Sequence, residues 1–286
     1  MDPRSFLDRF ERRPGPPAEL TAALADLAKL SRDRPDLAAP SKSLARILEI
    51  AFRSPDTSEI GTIDDDRLIR NWSDGIPIFR VLSPQLDKSA LLRRVAGLSE
   101  AIGGEGDSSF RKAIRKGQLD LPSMVSEVLS GRPEEVTRQA FAIGVDDQFA
   151  ASLLRMALLP ALARVSVVLD QARPEGIWDR GDCPHCGSRP LLAESRGIEQ
   201  RLVYRCGLCA AGWSGQRLRC PSCGESDPKS LGYSFVEGEQ ERHRLGRCET
   251  CSSHWKIVST LTPLSAPGLL VADLATFHLD VLASES

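Results

Sequence analysis

Apolar side chains recur at helical spacing through most of the first 172 residues. Leu20, Leu24, Leu27 and Leu30 lie three to four positions apart behind a proline pair, a pattern typical of an amphipathic helix with one buried face. The same spacing predicts further helices at 43–53, 89–102, 110–115, 123–129, 133–143 and 148–170. Segments 54–66 and 103–109 are rich in Gly, Asp and Ser and predict loops, and 76–81 is the one extended candidate.

The stretch 149–169 is apolar enough to raise the question of a membrane span. It carries Arg155 and Arg164 near its middle, with Pro160 between them. Two charges at that depth disfavour a transmembrane segment. We therefore expect one buried helix, or a helix pair joined at Pro160, and no membrane insertion.

The pattern changes after residue 172, where Pro174 and Gly176 follow the long apolar stretch. We expect a helical domain at 1–172 and a linker at 173–176, because prolines and glycines mark such boundaries. Beyond it, short runs of Tyr, Val and Phe at 201–204 and 231–235 predict strands. The tail at 269–282 is amphipathic and predicts a last helix that folds back, within a segment 263–286.

All eight cysteines lie in this second half. They form four Cys-x-x-Cys pairs, a spacing that lets two thiolates grip one tetrahedral metal. The pairs are Cys183/Cys186, Cys206/Cys209, Cys220/Cys223 and Cys248/Cys251.

An internal repeat predicts how the pairs combine. Each unit reads C-P-x-C-G…R-C-x-x-C-x-x-x-W, and Cys220 lies 37 positions after Cys183, as in a duplicated structural unit. We therefore assign one metal to the first two pairs, in a unit at 173–219, and a second metal to the last two pairs, in a unit at 220–262. An interleaved pairing of the first pair with the third is the alternative. The Gly after each first pair suits a left-handed knuckle turn.

Four thiolates suit zinc and also a single iron of rubredoxin type, so the spacing leaves the metal open. A shell without an open position indicates a structural or electron-carrying site, not a hydrolytic one, and we expect no enzyme. His185 lies between two ligands and is expected to face solvent, with ligation as the alternative; His254 is expected at the surface. The helical half holds no His, no Cys and no phosphate-binding loop.

Charge and composition exclude several classes of function. The formal net charge is −2, which gives no drive towards nucleic acid or a membrane surface. Segment 1–11 is charged and lacks the apolar core of a leader. In the reducing cytoplasm that this predicts, the thiols bind metal rather than form disulfides.

The residues around the cysteines resemble the formate dehydrogenase accessory protein family, FdhE. The resemblance is carried by D-C-P-H-C-G-S-R-P from Asp182, Y-R-C-G-L-C-A-A-G-W from Tyr204, R-L-R-C-P-S-C-G from Arg217 and V-A-D-L-A-T-F-H-L-D from Val271. It implies an α plus small metal-bound β fold: a helical domain, two tandem rubredoxin- or zinc-ribbon-like four-Cys units and a C-terminal helix.

The same resemblance implies a cytoplasmic maturation protein that binds the catalytic subunit of respiratory formate dehydrogenase before that subunit is exported. It also implies two iron ions in rubredoxin-like sites, with zinc as the alternative. Self-association is left open.

A basic and aromatic patch in the first unit is the predicted partner surface. Segment 200–219 has no acidic residue, and the patch consists of Arg201, Arg205, Trp213, Arg217 and Arg219. A zinc-ribbon nucleic-acid binder is one alternative for the same patch, although Glu237, Glu239 and Glu241 oppose it. Two further alternatives rest on the cysteines and not on the patch: a rubredoxin-like electron carrier, and a thiol oxidase whose active site Cys183-Pro184-His185-Cys186 would match.

Overall fold

The computed structural model describes residues 17–284 except 55, 62–63, 103–104, 132–133 and 173–177. Within these ranges a helical region precedes the cysteine-containing region. Its helices are α1 (Ala18–Asp33), α2 (Ala38–Phe52), α3 (Asp65–Ser73), α4 (Lys88–Ile102), α5 (Glu105–Arg115), α6 (Leu121–Ser130), α7 (Glu134–Ala142) and α8 (Asp147–Gln171). The predicted helical character of this region is confirmed.

Local capping fixes several helix ends. Asp120 and Asp146 accept backbone N–H groups at the starts of α6 and α8, and Gly131 ends α6 in the left-handed conformation, as expected for these residue types. Helix α3 falls partly in the predicted 54–66 loop. The extended prediction at 76–81 is wrong, because Ile78–Arg80 forms a 3₁₀ turn.

Helix α8 is the centre of the helical core. It runs unbroken through Pro160, and Leu153, Leu158 and Leu162 along it are fully buried. The alternative of two helices joined at the proline is therefore not observed. This helix passes the length and composition test for a membrane span, but most of its apolar window is buried inside the protein, as in the core helix of a globular fold.

The two cysteine units build one six-stranded sheet. Its strands are β1 (Pro190–Arg196), β2 (Arg201–Cys206), β3 (Gly212–Ser214), β4 (Leu231–Ser234), β5 (His243–Cys248) and β6 (His254–Thr260), in the order β3-β2-β1-β6-β5-β4. Each unit is an antiparallel three-stranded meander. The units join through β1 and β6, which run parallel with Ala193 opposite Ile257.

The tail folds back as two helices instead of the single one predicted. Helix α9 (Ala266–Ala275) and helix α10 (Phe277–Ser284) bend by 51° at Thr276. Val271 of α9 joins Leu20, Leu27 and Leu48 of α1 and α2 in a shared apolar cluster. The C-terminal segment is thereby packed on the first helices of the chain.

The helical and metal regions share their main core. One cluster of buried side chains extends from α4 and α8 to the cysteines of the first unit. The ring of Trp72 packs against that of Trp178 at an angle of 57°, with centroids 4.9 Å apart, and the Ile78 and Phe79 amides donate to the carbonyls of Pro184 and His185 at 2.9 and 2.8 Å. The expected boundary at 173–176 lies outside the described residues, so the division into domains stays a prediction.

Candidate metal centres

The first cysteine set lies on two knuckle turns that flank β1 and β2. Gly187 N donates to Cys183 O at 2.8 Å, and Ala210 N donates to Cys206 O at 3.0 Å. Gly187 and Gly224 have φ values of +76° and +79°, as predicted for the residue after each first pair. These turns direct the two thiols of each pair towards one point.

The four thiols of the first set are at the separations that one tetrahedral ion requires. The Sγ distances are 3.6 Å for Cys183–Cys209, 3.4 Å for Cys186–Cys206 and 3.8 Å for Cys186–Cys209. Metal–sulfur bonds of about 2.3 Å in a tetrahedron place sulfurs about 3.8 Å apart. The donor set and its size therefore fit zinc or iron.

The second set repeats this arrangement. Cys220 and Cys251 Sγ are 3.7 Å apart, as are Cys223 and Cys248 Sγ. Within each set all four sulfurs lie within 4.8 Å of one another. The structure thus groups the cysteines consecutively, as the repeat predicts, and not in the interleaved alternative.

The two sites differ in exposure. All four cysteines of the first set are buried, whereas Cys223 and Cys251 of the second are exposed. The second site has a hydroxyl at a position where the first unit has Ala211: Ser253 Oγ lies 3.2 Å from Cys220 Sγ and 3.1 Å from Cys251 Sγ. Hydrogen bonds from Ser253 lower the pKa of the Cys251 thiol to about 6.

The expectation that His185 faces solvent is wrong. Its side chain is fully buried against helix α8, with Nδ1 3.0 Å from Ser166 Oγ and Nε2 3.4 Å from Asp170 Oδ1. It is a packing residue between the knuckle and the helical core and is not a member of the thiol set. His254 is half-buried.

The predicted basic and aromatic patch is divided by burial. Arg205 and Trp213 are buried, which corrects the expectation that they form a surface. Arg201 is 79% exposed in its side chain and Arg217 is exposed, while Arg219 is paired with Asp179. Because Arg205 and Trp213 are inaccessible, the nucleic-acid alternative loses two of its contact residues.

Arg205 instead belongs to a buried charge network that the sequence analysis missed. It pairs with Glu194, whose carboxylate is fully buried and also accepts from Arg196 and from Thr260 Oγ1 at 2.9 Å. Arg205 Nη2 donates to the carbonyls of Ala210 and Leu264 at 3.0 and 2.8 Å. A lone Glu inside the apolar run of β1 is the sequence signal that indicates such a pair.

A second buried charge links the sheet to the tail. Lys256 of β6 pairs with Asp273 of α9 and lies 2.8 Å from Asp280 of α10. The two networks connect β1, β2, β6 and both C-terminal helices around the metal units. They stabilise the relative placement of these elements because a buried charge is costly once its partner is lost.

Comparison with curated proteins finds similarity over part of the chain. The chain is 32% identical over 114 residues to the FdhE homologue of Aquifex aeolicus, and this match covers 38% of each protein. It is 36% identical over 134 residues to the FdhE homologue of Pseudomonas aeruginosa, with 42% of each covered. The matched stretches thus span about two fifths of these relatives. No family model matches the chain.

The fold extends the similarity to nearly the whole chain. The crystal structure of the FdhE protein from Pseudomonas aeruginosa superposes with a TM-score of 0.60 at 20% identity, covering 94% of this chain and 92% of that one. The order of a helical region, a sheet region and C-terminal helices is therefore a shared architecture. The resemblance predicted from the sequence is confirmed.

Proposed function

We propose that this chain, which belongs to the FdhE family, acts as a cytoplasmic accessory protein in the maturation of formate dehydrogenase. The observation that carries the proposal is the pair of four-thiolate clusters inside one folded unit. Four thiolates complete a tetrahedral shell, so neither metal would have an open coordination position for a substrate. A role in binding a protein partner therefore fits the site better than turnover of a small molecule.

Iron is the proposed metal, on the resemblance to the family, and zinc remains the alternative that the same donors accept. Iron would supply one-electron redox chemistry, whereas zinc would supply only structure. The chain's own contribution is a pair of preformed thiol sets, with Leu208 N and Ser222 N each 3.3 Å from a ligand sulfur. Metal analysis and an absorption spectrum of protein purified without oxygen decide between the two ions.

We infer that the partner contacts the exposed edge of the metal region. Arg201 and Arg217 are exposed there, and Leu218, Tyr233 and Phe235 leave about half of their surfaces in solvent. Tyr233 donates its hydroxyl to Arg217 O at 2.7 Å, beside a cavity of 360 Å³. Aromatic, aliphatic and arginine side chains together are typical of interface centres.

The inference is tested by co-purification with a tagged formate dehydrogenase catalytic subunit. Replacing Arg201 by Glu and Leu218 by Asp should abolish capture while two metal ions stay bound. The matched control replaces Arg93 by Glu and Leu92 by Asp, a similar exposed pair on α4, and should bind like the wild type.

Loss of capture by the control pair alone would place the contact on the helical region. No capture of the catalytic subunit by the unaltered protein, or retention of nucleic acid through a high-salt wash, would overturn the proposed function. Full formate dehydrogenase activity in cells that lack the gene would overturn it as well.

A further inference from the structure

A third group of side chains with possible metal-ligand atoms lies at the start of β5, at the other end of that strand from Cys248. Glu239, His243 and His278 place one ligand atom each within 4.8 Å of one another. Glu239 Oε2 is 3.1 Å from His243 Nδ1 and 2.9 Å from His278 Nε2. The side chains are 32%, 27% and 18% exposed, so the group is sheltered but reachable from solvent.

Two separate elements bring these residues together. The turn before β5 holds Glu239 and His243 on one side, because the amides of Arg242 and His243 both donate to Glu239 O at 2.8 Å. His278 comes from α10, directly after the bend at Thr276, whose hydroxyl donates to Ala272 O at 2.7 Å. The C-terminal helix therefore contributes a ligand to a site that the hairpin alone cannot complete.

We propose that Glu239, His243 and His278 form a third metal site, which takes a divalent ion of the zinc class. Two imidazoles and one carboxylate are donors that zinc and neighbouring transition ions prefer. They differ from the thiolate shells of the other two sites. Three protein ligands leave a fourth position for water, which matches the partial exposure of the group.

The distances accept an ion after a small adjustment. Metal–ligand bonds of about 2.0–2.1 Å in a tetrahedron separate the donor atoms by about 3.3 Å. The observed 2.9 Å from Glu239 Oε2 to His278 Nε2 and 3.1 Å from Glu239 Oε2 to His243 Nδ1 are slightly shorter than this separation. An entering ion binds the lone pair of one nitrogen of each imidazole, each neutral ring carries its proton on its other nitrogen, and the three side chains move apart by a few tenths of an ångström.

Nearby charges leave the carboxylate available to the ion. Arg34, directly after α1, is a cation whose charge interacts with Glu239, and its guanidinium is held by Asp36, with Nη2 and Oδ2 2.9 Å apart. Lys256 is similarly occupied by Asp273 and Asp280. Ion binding would clamp α10 against the start of β5.

The experiment counts bound zinc in protein whose two cysteine sites are already filled. Equilibrium dialysis against micromolar free zinc should give three equivalents for the wild type. His243→Ala and His278→Ala should each retain two, with affinity at the third site reduced by more than the roughly 10- to 100-fold that loss of an outer-shell partner costs. His254→Ala, which removes a half-buried histidine outside the group, should retain three.

Cobalt distinguishes this site from the thiolate sites. One equivalent of Co²⁺ added to protein that holds zinc in its two cysteine sites only should give visible d–d bands without a thiolate-to-cobalt charge-transfer band, and Glu239→Gln should weaken them. Glu239→Gln keeps the size of the side chain, so a change with unaltered circular dichroism is not a folding defect.

Two results would overturn the proposal. One is a wild-type protein that stops at two equivalents; the other is a third equivalent that survives the double change His243→Ala and His278→Ala. Neither readout involves formate dehydrogenase, so the third site is tested independently of the proposed function.

Discussion

Ser253 is the side chain that most clearly distinguishes the second cysteine site from the first. Its hydroxyl contacts two ligand sulfurs, and the repeat places Ala211 at the same point of the first unit. Hydrogen bonds to a thiolate favour its charged form and orient it, as outer-shell partners do in metal sites generally. The duplicated motif therefore contains two chemically different sites.

Ser253→Ala should weaken metal binding at the second site by about 10- to 100-fold and leave the first unchanged. Competition with a chromophoric chelator measures both. Thr250→Ala is the control, because this hydroxyl lies in the same knuckle but donates to Glu225 Oε2 at 2.9 Å. Equal weakening by the two variants would show that the knuckle, and not the hydroxyl, is responsible.

His185 gives a second prediction at the scale of one residue. His185→Ala leaves a cavity and an unpaired Ser166 hydroxyl in the core, so it should lower the free energy of unfolding by about 2–4 kcal/mol. Both metals should still bind, since His185 is not a ligand. Chemical denaturation with metal counting measures this; a loss of metal without a loss of stability would contradict the packing role.

At the scale of elements, the local patterns were predictable and the long-range ones were not. The knuckle spacing and the 37-residue repeat predicted both cysteine sets, and short runs of Tyr, Val and Phe predicted the strands at 201–204 and 231–235, because these patterns depend on neighbours in sequence. The sequence pattern did not predict helix α3. This segment is highly charged, and Leu68 and Trp72 are its only buried apolar side chains, which is too few to show a helical period. Nothing local indicates the parallel β1–β6 pairing.

The difference in exposure between the two sites predicts how they lose metal. A chelator should remove half of the cysteine-bound metal rapidly, from the site with exposed Cys223 and Cys251, and the other half slowly. Cys220→Ser should lose about half of the metal and abolish the fast phase, because binding and folding are coupled in so small a unit. A variant that empties both sites would instead show that the shared sheet makes them one unit.

At the scale of the whole molecule, the shared core predicts how the two regions behave when separated. A protease site introduced at 173–177 and cut should leave the halves associated, because they share buried apolar side chains and the backbone hydrogen bonds at Pro184 and His185. Size-exclusion chromatography under native conditions measures this. Two separately eluting soluble fragments, the metal one still loaded, would support independent domains at 1–172 and beyond.

The joining of the units through β1 and β6 has a consequence for assembly. The first strand of one cysteine unit pairs with the last strand of the other unit, which is a head-to-tail relation without two-fold symmetry. The outer strands of the sheet are the last strand of the first unit, β3, and the first strand of the second unit, β4. They therefore correspond in the repeat to β6 and β1, the strands that pair in the middle. Such a join could continue from chain to chain as a filament, and a β3 of only three residues is what keeps that edge a poor template for growth.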